Sequence, residues 1–315
     1  MRKKEKKDNS WILIIVVLVI LGFVVSLIAA LVTLFVGTSQ GFGLTGGKIA
    51  VIHIDGIITS QDAGAFGSPE SLTADEIVGF IEDAEKDKSI KGILLDINTP
   101  GGEVYASSII SDALNKVNKT KVALIRSLGA SGGYWIALHA EYIVAHKYSI
   151  TGSVGVISSY PEFDEFLSRY NISYNRLVAG ELKDIGDPFT ELTDEKRNIL
   201  QMQLDAIHND FLTLLKDNRD ITDEHMEVIQ TGRFFLGSEA KKLNLIDQLG
   251  GEKEAKKYLE KKLNISKPIY TDYKKDVSFL DMLSGEVRQA AYSAGEGISA
   301  GLRLVKTYNY YMIMT

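Results

Sequence analysis

Strand and helix patterns alternate through residues 48–145, and this alternation limits the fold more than any other feature of the chain. Apolar runs typical of buried strands cover residues 48–54, 92–98, 122–127 and 142–145. One helical pattern follows Thr73, which precedes Glu76 with capping-box spacing, and a second covers 104–116. Such alternation indicates βαβ units and a mostly parallel sheet. We therefore predict an α/β fold.

Two glycine-rich loops follow consecutive predicted strands. The first covers residues 99–102 and reads Thr-Pro-Gly-Gly, and the second covers 129–133 and reads Gly-Ala-Ser-Gly-Gly. The carboxyl ends of parallel strands usually carry the active site of such a sheet. Ser131 stands between a strand and a helix in a Gly-x-Ser-x-Gly pattern, which is typical of a nucleophile elbow. Ser131 is therefore a candidate nucleophile, although a helix N-cap serine would have the same local pattern.

A serine nucleophile needs a base that removes its proton, and histidine is the usual choice. The chain has five histidines, which are His53, His139, His146, His208 and His225. His139 would lie about 12 Å from Ser131 along one helix, which is too far for direct contact. The elbow pattern expects its histidine on a late loop, and no histidine follows residue 225. A Ser-His-Asp triad stays open but has little support from the sequence.

Lysine is the alternative base, and Lys183 is the candidate. An amine acts as a base only when it is neutral, and the ordinary lysine pKa of about 10.4 opposes this near pH 7. Apolar neighbours in residues 177–185 and nearby glycines suit a pocket that favours the neutral amine. Glu181, Asp184 and Asp187 would have the opposite effect if they lay close in space. A solvated surface lysine is the simpler interpretation of Lys183 taken alone.

Amphipathic helical patterns dominate the chain after this segment. They cover residues 193–217, 222–230, 238–243 and 251–263. Helices after a βαβ region either cover the sheet or mediate assembly. We place one domain at 48–265 and a less regular tail at 266–315. The tail ends in an unusually apolar stretch, so we consider it a segment that contacts a neighbouring subunit or a groove.

The N-terminal region has the pattern of a membrane anchor. Residues 11–36 carry no charged side chain, and a helix of that length would exceed the roughly 30 Å hydrocarbon core. Residues 1–10 have a net charge of +3, which favours a cytoplasmic N-terminus. Residues 37–47 are rich in Gly, Ser and Thr and form a predicted linker. We expect a single-pass protein of the cell membrane, with lipid contacts through this helix and an extracytoplasmic domain.

Charge and composition exclude several classes of function. The chain has a net charge of −6, so the part outside the basic N-terminus carries −9, which argues against nucleic-acid binding. The absence of cysteine excludes disulfides, Cys-ligated metals and a thiol nucleophile. The sequence has no Walker loop and no His-Glu-x-x-His motif. We therefore predict no cofactor and no metal.

Four segments together resemble the signal peptide peptidase A family. Residues 98–102 read Asn-Thr-Pro-Gly-Gly where the family has Asn-Ser-Pro-Gly-Gly, and 130–134 read Ala-Ser-Gly-Gly-Tyr, as in its nucleophile segment. Residues 151–156 resemble a Thr-Gly-Ser-Leu-Gly-Val segment, and 180–184 contain the Gly-x-x-Lys of its base segment. The resemblance runs from about Lys48 to Leu259 and includes the anchor. It implies a membrane-anchored serine–lysine peptidase with a crotonase-like, Clp-protease-like fold.

The resemblance also implies a role for each matching residue. Ser131 would attack the peptide carbonyl, and neutral Lys183 would take its proton and later activate water. Ser153 would orient the lysine amine, although a turn serine has the same local pattern. The N–H groups of Gly102 and Ser131 would stabilise the oxyanion. Substrate contacts are expected from Gly101, Gly132 and Tyr134. Trp135 is a further candidate for lining the substrate groove. For both aromatic residues, packing in the core is the alternative.

These roles imply an endopeptidase that degrades apolar peptides, such as cleaved signal peptides, through an acyl-enzyme. The family resemblance implies a homo-oligomeric ring, with serine and lysine from one subunit or from neighbouring subunits. One alternative is a related Ser-Lys peptidase that cuts an intact membrane protein. Two further alternatives are another crotonase-fold enzyme, such as an acyl-CoA hydratase, and a non-catalytic membrane scaffold with this fold.

Overall fold

The computed structural model describes residues 22–28, 47–60 and 73–274. The chain divides into two compact units, residues 1–46 and residues 47–315. Residues 22–28 of the first unit are helical. Among the described residues, no helix combines the length and the apolar character needed to cross a membrane. The remainder of the predicted anchor at 11–36 lies outside the described residues, as do the N-terminal residues 1–10 and nearly all of the linker at 37–47.

An eight-stranded sheet forms the centre of the second unit. Its strands are β1 Lys48–Ile58, β2 Ile90–Gly102, β3 Thr120–Ala130, β4 Tyr142–Ala145, β5 Ile150–Gly152, β6 Phe234–Leu236, β7 Gln248–Leu249 and β8 Ile269–Tyr273. The order is β6-β5-β3-β2-β1-β8, and β4 joins β3 to β7. All pairs are parallel except β5 with β6. The predicted α/β class with a mostly parallel sheet is thus confirmed.

Helices cover both faces of this sheet. They are α1 Ala74–Lys86, α2 Val104–Asn115, α3 Gly132–Ala137, α4 Asp164–Arg169, α5 Asp194–Asn218, α6 Asp223–Ile229, α7 Gly237–Lys242 and α8 Glu252–Leu263. Ile93, Leu95 and Ile97 of β2 join the larger core with α1, α2 and α3. Leu94, between them, joins a smaller core with α8 on the other face. This alternation follows from the two-residue period of a strand, and it buries β2 on both sides.

The predicted elements agree closely with these bounds. Thr73 caps α1 in a complete capping box, because its hydroxyl accepts from the Glu76 N–H and the Glu76 carboxylate accepts from the Thr73 N–H. The predicted domain end at 265 is too early, since β8 continues the sheet beside β1. Strands β5, β6 and β7 have only two or three residues each, too few for an alternating pattern, and the five residues of β8 read Ile-Tyr-Thr-Asp-Tyr, which does not alternate. The apolar end of the predicted tail lies outside the described residues.

The two glycine-rich loops interlock where β2 and β3 end. Gly101 has φ +97°, and a Cβ atom there would lie 2.6 Å from the Gly132 nitrogen and 2.9 Å from the Ala130 carbonyl oxygen. At Gly102, a Cβ atom would lie 1.9 Å from the Ile58 carbonyl oxygen. Main chain thus contacts main chain on both sides of this loop. Glycine is required because it alone has no Cβ atom at these contacts.

We predict that Gly101→Ala destabilises the protein by about 1–3 kcal/mol, since alanine meets both a disfavoured backbone angle and main-chain contacts. Urea unfolding of the purified protein measures the change. Gly79→Ala in α1 is the matched control, because a Cβ atom there meets nothing within 4 Å. Removing a glycine from a helix interior should raise stability by up to about 1 kcal/mol. Equal stability of Gly101→Ala and wild type would contradict the proposed contact.

A buried polar network joins α2 to α3. The Ser111 hydroxyl contacts His139 Nε2 and accepts a 2.9 Å hydrogen bond from the Trp135 indole N–H. Trp135 also packs on Phe211 of α5, with ring centroids 4.7 Å apart. Burial lowers the pKa of His139 to about 4, and Lys121 adds to the effect against a smaller opposing contribution from Asp112. His139 is therefore neutral in the folded protein above that pH.

We predict that this histidine makes the protein less stable in acid. The unfolded chain binds a proton at His139 below about pH 6.5, whereas the folded chain does so only near pH 4. The free energy of unfolding should therefore fall between these values, by roughly 2–3 kcal/mol from this group. Urea titrations at pH 7.5 and 4.5 measure the fall, which should be clearly smaller in His139→Gln. The same pH dependence in both proteins would rule out His139 as its source.

Candidate active site

Ser131 occupies a sharp turn between β3 and α3. Its backbone has φ 50° and ψ −122°, a conformation that L-residues other than glycine rarely adopt. Its main-chain N–H donates to the Gly152 carbonyl at 2.9 Å, and its carbonyl accepts from the main-chain N–H of Trp135 at 2.9 Å. The Ser131 side chain makes no N-cap hydrogen bond, so the simple capping interpretation does not apply. This geometry matches the exposed serine of a nucleophile elbow.

Ser153 follows β5 in a second unusual conformation, with φ 51°. Its N–H donates to the Arg233 carbonyl at 3.0 Å. The Thr151 hydroxyl donates to the Gly129 carbonyl at 2.7 Å, which ties β5 to the loop that carries the nucleophile. Among the described residues, the other non-glycine positions with positive φ are three asparagines and Lys267. Two serines held this way on neighbouring strands indicate a built site.

Both serines line one cavity of about 710 Å³. The loop at 100–102 forms one wall and the turn at 230–232 forms another. Polar side chains of α5 complete the lining; they are Gln201, Asp205 and His208. The predicted residues Ser131, Ser153, Gly101 and Gly102 are therefore brought together by the fold. This cavity is large enough to take several residues of a peptide.

Main-chain N–H groups are the candidate oxyanion donors of this cavity. The Ser131 N–H is already engaged by the Gly152 carbonyl, which removes it from that role in this conformation. Gly132 begins α3, so its N–H has no acceptor within the helix. The loop that carries Gly102 is shaped by Thr99, whose buried hydroxyl accepts from the Gly101 N–H at 3.0 Å. Gly132 is not in the cavity lining, but its nitrogen lies beside Gly101, so it replaces Ser131 as the candidate second donor with Gly102.

Tyr134 does not reach the cavity, so its predicted contact with substrate is wrong. Its side chain is completely buried in the larger core, and its hydroxyl donates to the Leu245 carbonyl at 2.7 Å. Trp135 contacts Ser111 and Phe211 as described above. The alternative of core packing is therefore the correct one for both aromatic residues. Residues on successive positions of the short helix α3 point inward because this helix is enclosed by β2, β3 and α2.

Lys183 lies in a turn between Gly180 and Gly186 and is exposed. Its N–H donates to the Gly180 carbonyl at 3.1 Å. Lys183 is not among the residues that line the cavity of Ser131 within this chain. Two of the three neighbouring carboxylates have partners: Asp184 pairs with two cations, and Asp187 accepts from the Tyr174 hydroxyl at 2.7 Å.

His208 is the cavity residue that the sequence argument passed over. Its Nε2 lies 3.2 Å from the Val154 carbonyl oxygen, next to Ser153. Its spacing from Gln201 and Asp205 puts all three side chains on one face of α5. This polar stripe is the sequence pattern from which His208 could have been identified as a site residue. Gln201 donates to Asp205 at 2.7 Å. Within the described part of the chain, no group of three or more His, Asp or Glu side chains is arranged to hold a metal ion.

Comparison with known proteins identifies the family of this chain. Residues 113–266 match the family model for Peptidase family S49, and residues 66–151 match that for Clp protease. The chain is thus a mixed α/β protein with a Clp-protease-like domain.

Three relatives agree with this assignment. A Methanocaldococcus jannaschii protein named putative protease is 33% identical over 90% of this chain and 93% of its own length. An Enterococcus faecium protein named putative signal peptide peptidase SppA is 26% identical over 75% of this chain and 70% of its length. Protease 4 of Haemophilus influenzae is 29% identical over 69% of this chain, which spans only 35% of that longer protein. The chain belongs to peptidase family S49, the family of serine peptidases that includes signal peptide peptidase SppA.

Proposed function

We propose that this serine peptidase is a membrane-anchored endopeptidase that uses Ser131 and Lys183 to degrade apolar peptides such as cleaved signal peptides. The observation that carries the proposal is the shared cavity, where Ser131 on its elbow, Ser153 and the glycine loop converge. A peptide carbonyl can lie there between the Ser131 hydroxyl and main-chain donors. This is the arrangement that acyl transfer requires.

The proposed reaction proceeds in two halves. Neutral Lys183 takes the proton of Ser131 while Oγ bonds to the substrate carbonyl carbon, and the N–H groups of Gly102 and Gly132 stabilise the negative oxygen. The carbon–nitrogen bond then breaks, and the leaving amine takes the proton from the Lys183 ammonium. In the second half Lys183 takes a proton from water as the water oxygen attacks the acyl-enzyme carbonyl. The bond between the acyl carbon and Ser131 Oγ then breaks, and the Lys183 ammonium returns its proton to Oγ. Ser153 orients the lysine amine through its hydroxyl.

The proposed position of the enzyme at the membrane supports the proposed substrate class. The uncharged segment 11–36 behind a basic N-terminus supports a single-pass anchor in the cell membrane, with the catalytic domain outside the cytoplasm. A cleaved signal peptide is an apolar segment released at the membrane. An enzyme anchored there meets such peptides at high local concentration. The cavity, lined by the glycine loop on one side and by α5 on another, would hold a segment of such a peptide.

We further propose that the peptidase is a homo-oligomeric ring in which Lys183 acts on Ser131 of a neighbouring subunit. Two observations support this part. Lys183 is absent from the lining of the cavity within its own chain. Several apolar side chains between residues 157 and 202 are widely exposed, among them Ile157 at 89%, Tyr170 at 62% and Leu177 at 99%. Apolar surface of this extent is typical of a protein–protein interface.

We predict that Ser131→Ala abolishes both peptide cleavage and labelling by a fluorophosphonate probe, since the variant lacks the proposed nucleophile. Lys183→Ala should lower kcat by at least about 10³-fold, because the hydroxyl then lacks its base. Cleavage of an apolar fluorogenic peptide and circular dichroism measure activity and folding together. The variant His208→Gln tests the alternative in which a histidine, rather than Lys183, is the base. Loss of activity in His208→Gln, with activity kept in Lys183→Ala, would assign the base to histidine.

We predict that two inactive variants complement each other when they are produced in one cell. A mixed ring of Ser131→Ala and Lys183→Ala subunits should have about a quarter of its sites complete if the pair forms across an interface. A dyad within one subunit gives no complete site. Copurification through two different affinity tags, followed by peptide cleavage, measures the recovered fraction. An inactive mixed ring would refute the intersubunit pair while leaving the dyad itself untouched.

A further inference from the structure

The turn that carries Lys183 is anchored by a buried carboxylate on the next residue. The Asp184 side chain is 7% exposed, and its Oδ2 lies 2.5 Å from Arg176 Nε. Its Oδ1 lies 3.3 Å from Lys196 Nζ. Neither oxygen has a partner in hydrogen-bonding geometry, so these two ion pairs balance the buried charge. A buried carboxylate without such partners would be strongly unfavourable.

The two cations come from different parts of the chain. Lys196 belongs to the first turn of α5, where its own N–H donates to the Thr193 cap. Arg176 precedes the turn, and its Nη2 also contacts the Glu181 carbonyl at 3.4 Å. Arg176 therefore holds the main chain before Lys183 and the carboxylate after it. The backbone of Lys183 is fixed from both sides, and α5 provides the rigid support.

Lys183 itself has no comparable restraint. Its side chain is exposed and, within the described part of the chain, makes no hydrogen bond or ion pair. The direction in which its amine points thus depends on how firmly its main chain is held. Misplacing a catalytic group by about 1 Å can cost a factor of 10² in rate. A weakly anchored main chain at this position would therefore lower the rate at which the Lys183 amine can take the proton of Ser131.

We propose that Asp184, clamped between Arg176 and Lys196, is a positioning residue that holds Lys183 in its catalytic direction. This inference rests on the proposed role of Lys183 as the base. It assigns a function to three charged residues that contact neither Ser131 nor its cavity. The clamp acts on the chemical step rather than on binding, because the cavity lining contains none of the three side chains.

The test uses Asp184→Asn in the full-length protein, with steady-state cleavage of an apolar fluorogenic peptide. We expect kcat to fall at least about tenfold while KM stays within about threefold. Asp184→Glu keeps the charge and should recover most of kcat. Glu181→Gln is the matched control: it removes one negative charge from the same turn through an exposed side chain, and it should have wild-type kcat.

Further variants keep the proposal falsifiable if Asp184→Asn does not fold. Arg176→Ala and Lys196→Met each leave Asp184 one cation, and each should lower kcat by a smaller factor with KM unchanged. Wild-type kcat in folded Asp184→Asn, an equal loss in Glu181→Gln, or unfolding of all three clamp variants would each overturn the proposal. Lys183→Ala is assayed in parallel. Full activity in Lys183→Ala refutes the dyad itself, which separates that failure from a failure of the clamp.

Discussion

The close approach of main chain to main chain between two loops is the constraint on which this site depends. Gly101 and Gly132 come so near each other that no side chain fits between them. This contact brings the end of β2 against the start of α3 and sets the distance between the glycine loop and Ser131. Dispersion and steric repulsion both depend steeply on distance here, so a displacement of a few tenths of an ångström changes the packing energy.

The parallel sheet supplies the rigidity that such contacts require. Strands β1, β2 and β3 are buried on both faces, and their carboxyl ends deliver the loops to one edge. The hydrogen bond that the Thr99 hydroxyl accepts from Gly101 and the one that the Thr151 hydroxyl donates to Gly129 then fix the loop conformations. The unusual backbone angles of Ser131 and Ser153 persist because these neighbours determine them. Strain at the site is thus maintained by the regular structure around it.

The segment that carries Lys183 follows a different design. Residues 155–195 have few buried side chains, and their charged and aromatic groups contact one another. In the proposed ring, such a segment would act at the surface of a neighbouring subunit, which would cover its exposed apolar groups. The proposed nucleophile Ser131 is therefore positioned by the hydrophobic core, whereas the proposed base Lys183 is positioned by an ion-paired turn. Buried strands and glycine loops leave a clear local pattern in the sequence, whereas an ion-paired turn does not. Local sequence pattern therefore supported Ser131 more strongly than Lys183.

Local patterns in the sequence determined the α/β class, the main strands and helices, the helix cap at Thr73, and the two loops at strand ends. Periodicity and glycine placement are properties of neighbouring residues, so they are readable without coordinates. Tertiary structure alone decided that Tyr134 is core, that β8 extends the sheet and that Asp184 pairs with Arg176 and Lys196. It also decided that the polar face of α5, whose spacing is readable in the sequence, lies at the cavity and brings His208 there. Each of these depends on a contact between residues separated along the chain or on the enclosure of a short helix, and no local pattern encodes such a contact.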